Sequence, residues 1–97
     1  MRGAVVEAAV GPAVAVGEYA AVLADYLNEG GESALYRASL LSRRFVETKT
    51  GPDEIVALHV EALQQATDGL APRRMLMAAT DALQFLLEVM IAYGVQH

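Results

Sequence analysis

The amino-acid sequence predicts an all-α fold, an antiparallel four-helix bundle that forms a dimer. Three observations lead there. Apolar residues recur at spacings of three and four along most of the chain, the period of one helix face. Each of the three prolines follows a small residue, in Gly11-Pro12, Gly51-Pro52 and Ala71-Pro72. Proline suits the first helical position because its missing N–H would have no partner there. No segment alternates apolar and polar residues for long enough to predict a strand. The connections between periodic segments are short, which favours antiparallel neighbours.

Taken in order, residues 1–11 are an Ala/Val-rich extension, a frayed end or a short helix, set off by Gly11-Pro12. The four-helix domain occupies residues 12–97. The first helix is expected over 12–28, with Tyr19, Val22, Leu23, Tyr26 and Leu27 inward, and it stops at Gly30-Gly31. The second is expected over 33–49. Ser33 is its N-cap, or Glu32 contributes at the first turn, and Leu35, Tyr36, Leu40, Leu41, Phe45 and Val46 form its apolar face. The third covers 52–66. Asp53 and Glu54 follow Pro52 in its first turn, where the positive end of the helix dipole favours carboxylates. Ile55, Leu58, Ala62 and Ala66 line one face, beside Val56, Val60 and Leu63. The fourth, 72–95, is the longest.

Composition narrows the function. The chain has 97 residues, enough for one domain, and 55% of them are hydrophobic against 20% charged. A mean hydropathy of +0.32 exceeds what so small a bundle can hide, which points to a second covered surface through self-association. Twelve acidic residues against seven basic give a net charge of −5, unsuited to phosphate backbones, so no nucleic-acid partner is expected. There are no cysteines, which excludes disulfides, thiolate metal sites and cysteine nucleophiles. The apolar start is interrupted by Glu7 and makes a poor export signal. Met75–Val95 is long enough to span a bilayer, but Asp81, Gln84 and Glu88 share one stripe that faces water or a partner, so no membrane is expected.

The fourth helix is apolar nearly all round. Leu83, Leu86, Met90 and Tyr93 make one stripe and Leu87 and Ile91 lie at its edge, while Phe85, Val89 and Ala92 lie elsewhere. A bundle covers one side of such a helix. Either this helix is central in the bundle, or its remaining sides meet a second chain. The second reading nominates Phe85, Val89, Ala92 and Tyr93 as dimer-interface residues.

Three blocks in this chain are similar to the N-terminal domain family of the bacterial stress-response phosphatase RsbU. They are Glu32-Ser33-Ala34-Leu35-Tyr36, Pro52-Asp53-Glu54-Ile55-Val56-Ala57-Leu58-His59, and Phe85-Leu86-Leu87-Glu88-Val89-Met90-Ile91-Ala92-Tyr93-Gly94, in the family's order and spacing. With Tyr19 and Tyr26, the likeness covers about residues 12–97. It implies a cytoplasmic, bacterial, all-helical homodimer, related to the C-terminal domain of the clock protein KaiA. Its implied role is non-catalytic and needs no cofactor. In the family this domain binds the switch kinase RsbT and so activates a C-terminal serine/threonine phosphatase. That phosphatase acts on an anti-anti-sigma factor and frees an alternative sigma factor. The family's partner surface maps here onto Glu32, Tyr36, Leu87 and Ile91. This chain departs from the family in the longer connection Asp68–Arg74, in the extension 1–11, and in ending at His97 where the family continues into a linker helix.

The spacing of those four residues is sensible in its own right. Glu32 and Tyr36, like Leu87 and Ile91, are four apart, so each pair shares a helix face. An apolar pair beside a tyrosine with a carboxylate at the rim is an interface composition. The ordinary alternative makes Tyr36, Leu87 and Ile91 core residues and Glu32 a contributor to the helix start. A different functional class, histidine phosphotransfer, rests on His59 in the third helix, but its neighbours Ile55, Leu58, Ala62 and Leu63 are apolar. No Glu-x-x-His pair, phosphate-binding loop or catalytic triad pattern occurs, so no metal is expected. Arg43-Arg44 and Arg73-Arg74 are best explained by surface ion pairs with Glu47 and Asp81.

Overall fold

The computed structural model describes residues 13–96, so the extension 1–11, Pro12 and His97 lie outside the described residues. Four helices account for nearly all of the described residues, and none of these is in a strand. They are α1 (Val16–Glu29), α2 (Glu32–Glu47), α3 (Pro52–Ala66) and α4 (Pro72–Gln96). Residues 13–15 are not helical, so α1 begins later than the proline reading places it.

The ends of the helices follow from their local chemistry. The α1–α2 connection is Gly30-Gly31, with φ of 64° and 89° and ψ of −157° and 173°. That region of backbone space is essentially restricted to glycine. The Gly30 N–H donates to the Tyr26 carbonyl at 2.8 Å and closes α1. Gly31, not Ser33, stands at the N-cap of α2, and Glu32 occupies the first turn. A capping side chain is not needed there because the glycine backbone alone makes the turn. Helix α2 ends at Glu47, where Lys49 takes φ 58° and the Thr50 N–H donates to the Phe45 carbonyl at 2.8 Å. Helix α3 starts at Pro52 as expected, and the Glu54 carboxylate accepts from the Gly51 N–H at 2.8 Å. That is the half of a capping box a glycine cap can make.

The core gathers around aromatic rings. Tyr19 of α1 lies at the centre, with ring centroids 6.2 Å from Phe45, 5.6 Å from His59 and 5.6 Å from Phe85. Tyr26 packs on the other side of Phe85 at 5.4 Å. Such tilted and edge-on pairs contribute about 0.5–1.5 kcal/mol each beyond area burial. Leu23, Leu41, Ile55 and Val89 fill the space between.

The helix order is not a simple square in which consecutive helices are the main neighbours. The most extensive packing joins α2 to α4 and α1 to α3. Small residues make the first of these possible. Helix α2 turns Ala34, Ala38, Leu41, Ser42 and Phe45 inward. Tyr36 and Leu40, expected on its apolar face, are exposed. Ser42 bridges the two helices, donating to the Val89 carbonyl at 2.9 Å while lying 3.0 Å from the Ala38 carbonyl. Helices α1 and α2 are antiparallel, since Arg37 pairs with Asp25 and Arg44 with Glu18. These pairs replace the expected one between the Arg43-Arg44 doublet and Glu47, because Arg44 points across to α1 instead of along its own helix.

Helix α4 is long and apolar enough, by length and composition alone, to cross a membrane. Here Ala82, Phe85, Val89 and Tyr93 are seated in the core, while Asp81 and Gln84 are exposed.

The turn geometry makes an opposed pair of outcomes. Gly31→Ala should destabilise the domain by about 1–3 kcal/mol through backbone strain alone, since nothing lies within 4 Å of the added Cβ. Gly17→Ala, in the first turn of α1 and equally uncrowded, should stabilise it by about 0.4–1 kcal/mol by reducing the freedom of the unfolded chain. Urea unfolding of both variants checks the signs.

Candidate functional site

Helix α4 decides where the site lies. Its inward face is Ala82, Phe85, Val89 and Tyr93. Phe85, Val89 and Tyr93 were the residues nominated for a dimer interface, and their burial within the protomer removes them from that role. Ala92 is half-buried beside them. The physical reason is phase. A helix apolar on all sides carries no internal signal of which side packs inward, and the inward choice falls to the face whose rings fit around Tyr19. Leu83, assigned by sequence to the core stripe, is therefore outside.

What remains exposed is a continuous apolar stripe. Leu83 is 66% exposed, Leu87 51% and Ile91 53%. Leu76 and Val95 extend it in both directions and are also exposed. Sequence reading reached Leu87 and Ile91 but not Leu76, Leu83 or Val95. The four-residue steps from Leu83 to Val95 were the available signal, masked by the equally apolar face on the other side.

On α2, Glu32 is exposed in the first turn and Tyr36 follows one turn later at 66% exposure. All four partner-surface candidates are thus on the outside of the protomer, on two helices packed against each other. The Gln96 side-chain amide donates to the Ser39 carbonyl at 3.3 Å. That bond ties the last turn of α4 to α2 one turn beyond Tyr36. The Tyr93 hydroxyl donates to the Thr50 carbonyl at 2.9 Å and holds the same end of α4 to the α2–α3 connection.

His59 is the other candidate, and the structure withdraws it. The ring is only 4% exposed. Its Nδ1 is hydrogen-bonded to the Tyr19 hydroxyl at 2.7 Å. Phe85 stacks against the ring at a centroid distance of 6.5 Å. A phosphoryl donor has no access to a histidine enclosed in this way. Burial disfavours the charged imidazolium and lowers the His59 pKa below its ordinary value. Burial likewise raises the Tyr19 pKa, so its hydroxyl stays protonated. Both groups are neutral, and their bond joins α1 to α3.

Among the described residues, no three His, Asp or Glu side chains converge to hold a metal ion. An open cleft of about 230 Å³ lies between the ends of α1 and α3 and the first turns of α4, with Leu27, Ala66, Leu70, Arg74, Met77 and Asp81 in its walls. Arg74 and Asp81 share this cleft without forming the ion pair the sequence suggested. None of the four surface candidates lines it.

The comparisons with known proteins bear on the whole domain. Residues 17–96 match the family described as phosphoserine phosphatase RsbU, N-terminal domain. The chain is 34% identical over 79 residues to the phosphoserine phosphatase RsbU of Bacillus subtilis (strain 168). That match takes in 81% of this chain and 22% of the relative, so the chain spans less than a quarter of that protein's length. No solved structure matches.

The burial of His59 gives the domain a pH dependence of defined sign. The native pKa of His59 is lower than the unfolded value of about 6.5. The unfolded chain therefore takes up the proton first as pH falls. The contribution of His59 to stability is complete above about pH 6.5 and declines below it, by at most about 1.4 kcal/mol per pH unit. His59→Asn, whose amide oxygen can still accept from Tyr19, should flatten the stability profile between about pH 5 and 7. Denaturant titrations across that range measure the effect.

Proposed function

The chain belongs to the family of RsbU N-terminal domains, and from this we propose that it is a non-catalytic module that binds a switch protein kinase of the RsbT kind. The partner engages Glu32 and Tyr36 on α2 and Leu87 and Ile91 on α4. The family itself carries a regulatory role within a phosphatase. The finer assignment rests on one observation: Leu83, Leu87 and Ile91 each leave more than half of their surface in water, next to a helix that exposes Tyr36.

The energetics favour occupancy of this stripe. Completing the burial of two half-covered aliphatic side chains contributes about 1–2 kcal/mol each. Tyr36 adds a rigid amphipathic ring of the kind that dominates binding sites. Glu32 at the edge supplies charge matching, which governs encounter rate and orientation more than affinity. Leu76 and Val95, at the ends of the stripe, suit self-association, and a homodimer would cover apolar surface that a partner leaves open. Binding is then relayed along α4 to a phosphatase output, because α4 carries half of the partner surface and runs the full length of the protomer.

The test is direct. Leu87→Asn and Ile91→Asn should each weaken capture of an RsbT-family kinase by about tenfold to a hundredfold, with helicity by circular dichroism unchanged. Unaltered binding by both would overturn the assignment. Light scattering on the purified domain should return twice the monomer mass of 10.3 kDa; a single-chain mass would remove the dimer.

A further inference from the structure

The proposed surface spans two helices, so its shape depends on how α4 sits along α2. Apolar contact supplies burial but no directional bond between them. The inward residues are Ala34, Ala38, Leu41 and Phe45 on α2 and Ala82, Phe85, Val89 and Tyr93 on α4. Apolar burial is non-directional and rewards covered area, not alignment.

Three hydrogen bonds supply that direction. Ser42 donates to the Val89 carbonyl at 2.9 Å, Tyr93 to the Thr50 carbonyl at 2.9 Å, and Gln96 to the Ser39 carbonyl at 3.3 Å. In each, a side chain meets a main-chain carbonyl across an inter-element boundary. Hydrogen bonds lose strength steeply when distance or angle is wrong, so together they define one register. On α4 they involve Val89, Tyr93 and Gln96, spaced four and three apart and interleaved with Leu87 and Ile91. On α2, Ser39 and Ser42 follow Tyr36 within two turns. Ser42 is fully buried, and its hydroxyl reaches the Val89 carbonyl across the boundary while its own helix offers the Ala38 carbonyl at 3.0 Å; only the first of these bonds depends on where α4 sits.

We propose that Ser42, Tyr93 and Gln96 are positioning residues that hold α4 in the one register on α2 at which Tyr36, Leu87 and Ile91 form a single partner surface. The inference rests on the partner reading above, and the experiment separates the two. The chain has no cysteines, so spin labels can be placed at introduced cysteines on exposed Arg43 of α2 and Gln84 of α4. Pulsed EPR then reports the distance between the helices, independently of any partner.

One narrow distance distribution is expected for the labelled parent. Ser42→Ala combined with Tyr93→Phe, which removes two hydroxyls and nothing else, should broaden it or add a second population, at a temperature where circular dichroism shows the domain folded. The same double variant, unlabelled, should bind the RsbT-family kinase at least tenfold more weakly, although all four surface residues are intact. An unchanged distribution overturns the register claim. A changed distribution with unchanged affinity overturns the positioning role. If the double variant does not fold, Gln96→Ala at the end of α4 is read by the same two measurements and the same criteria. Failure of the parent to bind the kinase would refute the partner reading and the positioning role that rests on it, while the EPR result still decides the register.

Discussion

The constraint on which the rest of this protein depends is that a helix in a four-helix protomer can turn one face inward. Helix α4 is apolar on more than one. The rings of Phe85 and Tyr93, with Ala82 and Val89 between them, occupy the inward position. Everything at Leu76, Leu83, Leu87, Ile91 and Val95 is consequently left in water. Their exposure is a by-product of no other feature of the fold. It follows from sequence composition and geometry together, and it places the apolar surplus of the whole chain largely on one helix.

The core that excludes those residues is built around two kinds of contact. Rings from the three other helices, Phe45, His59 and Phe85, surround Tyr19. This is where α1, α2, α3 and α4 come together, and the Tyr19 hydroxyl is hydrogen-bonded to His59 Nδ1 among them. The second kind is the packing of α2 on α4, where the buried Ser42 hydroxyl meets the Val89 carbonyl at 2.9 Å. Rings give bulk and shape at the centre; small residues with a hydroxyl give proximity and alignment at the α2–α4 boundary. No buried side-chain polar atom among the described residues lacks a partner, so neither arrangement carries the cost of an orphaned group.

Membership of the RsbU N-terminal domain family makes this division intelligible. A regulatory domain needs a surface that is stable enough to display apolar side chains and defined enough to be read by one partner. The aromatic centre supplies the stability. The carbonyl-directed bonds at the end of α4 fix its last turns against α2 and the α2–α3 connection, in the stretch that carries the exposed leucine and isoleucine. His59, which chemistry alone would have made a candidate site, is spent on the core.

Much of the fold was legible in the sequence. Prolines after small residues located the starts of α3 and α4 to the residue, because a missing N–H is tolerated only there. Gly30-Gly31 located the end of α1, because only glycine adopts that backbone. The surplus of apolar residues on the last helix was equally legible. What the sequence left undecided was phase. Phe85 and Leu87 are both large and apolar, and periodicity cannot say which of two apolar faces packs inward. Nor could it show that Tyr36 stands in water while Ala34, Ala38 and Ser42 take the interior, because close helix packing selects small residues that hydropathy undervalues. Those choices are made by the fit of whole helices around Tyr19, a property of the assembled core and not of any one segment.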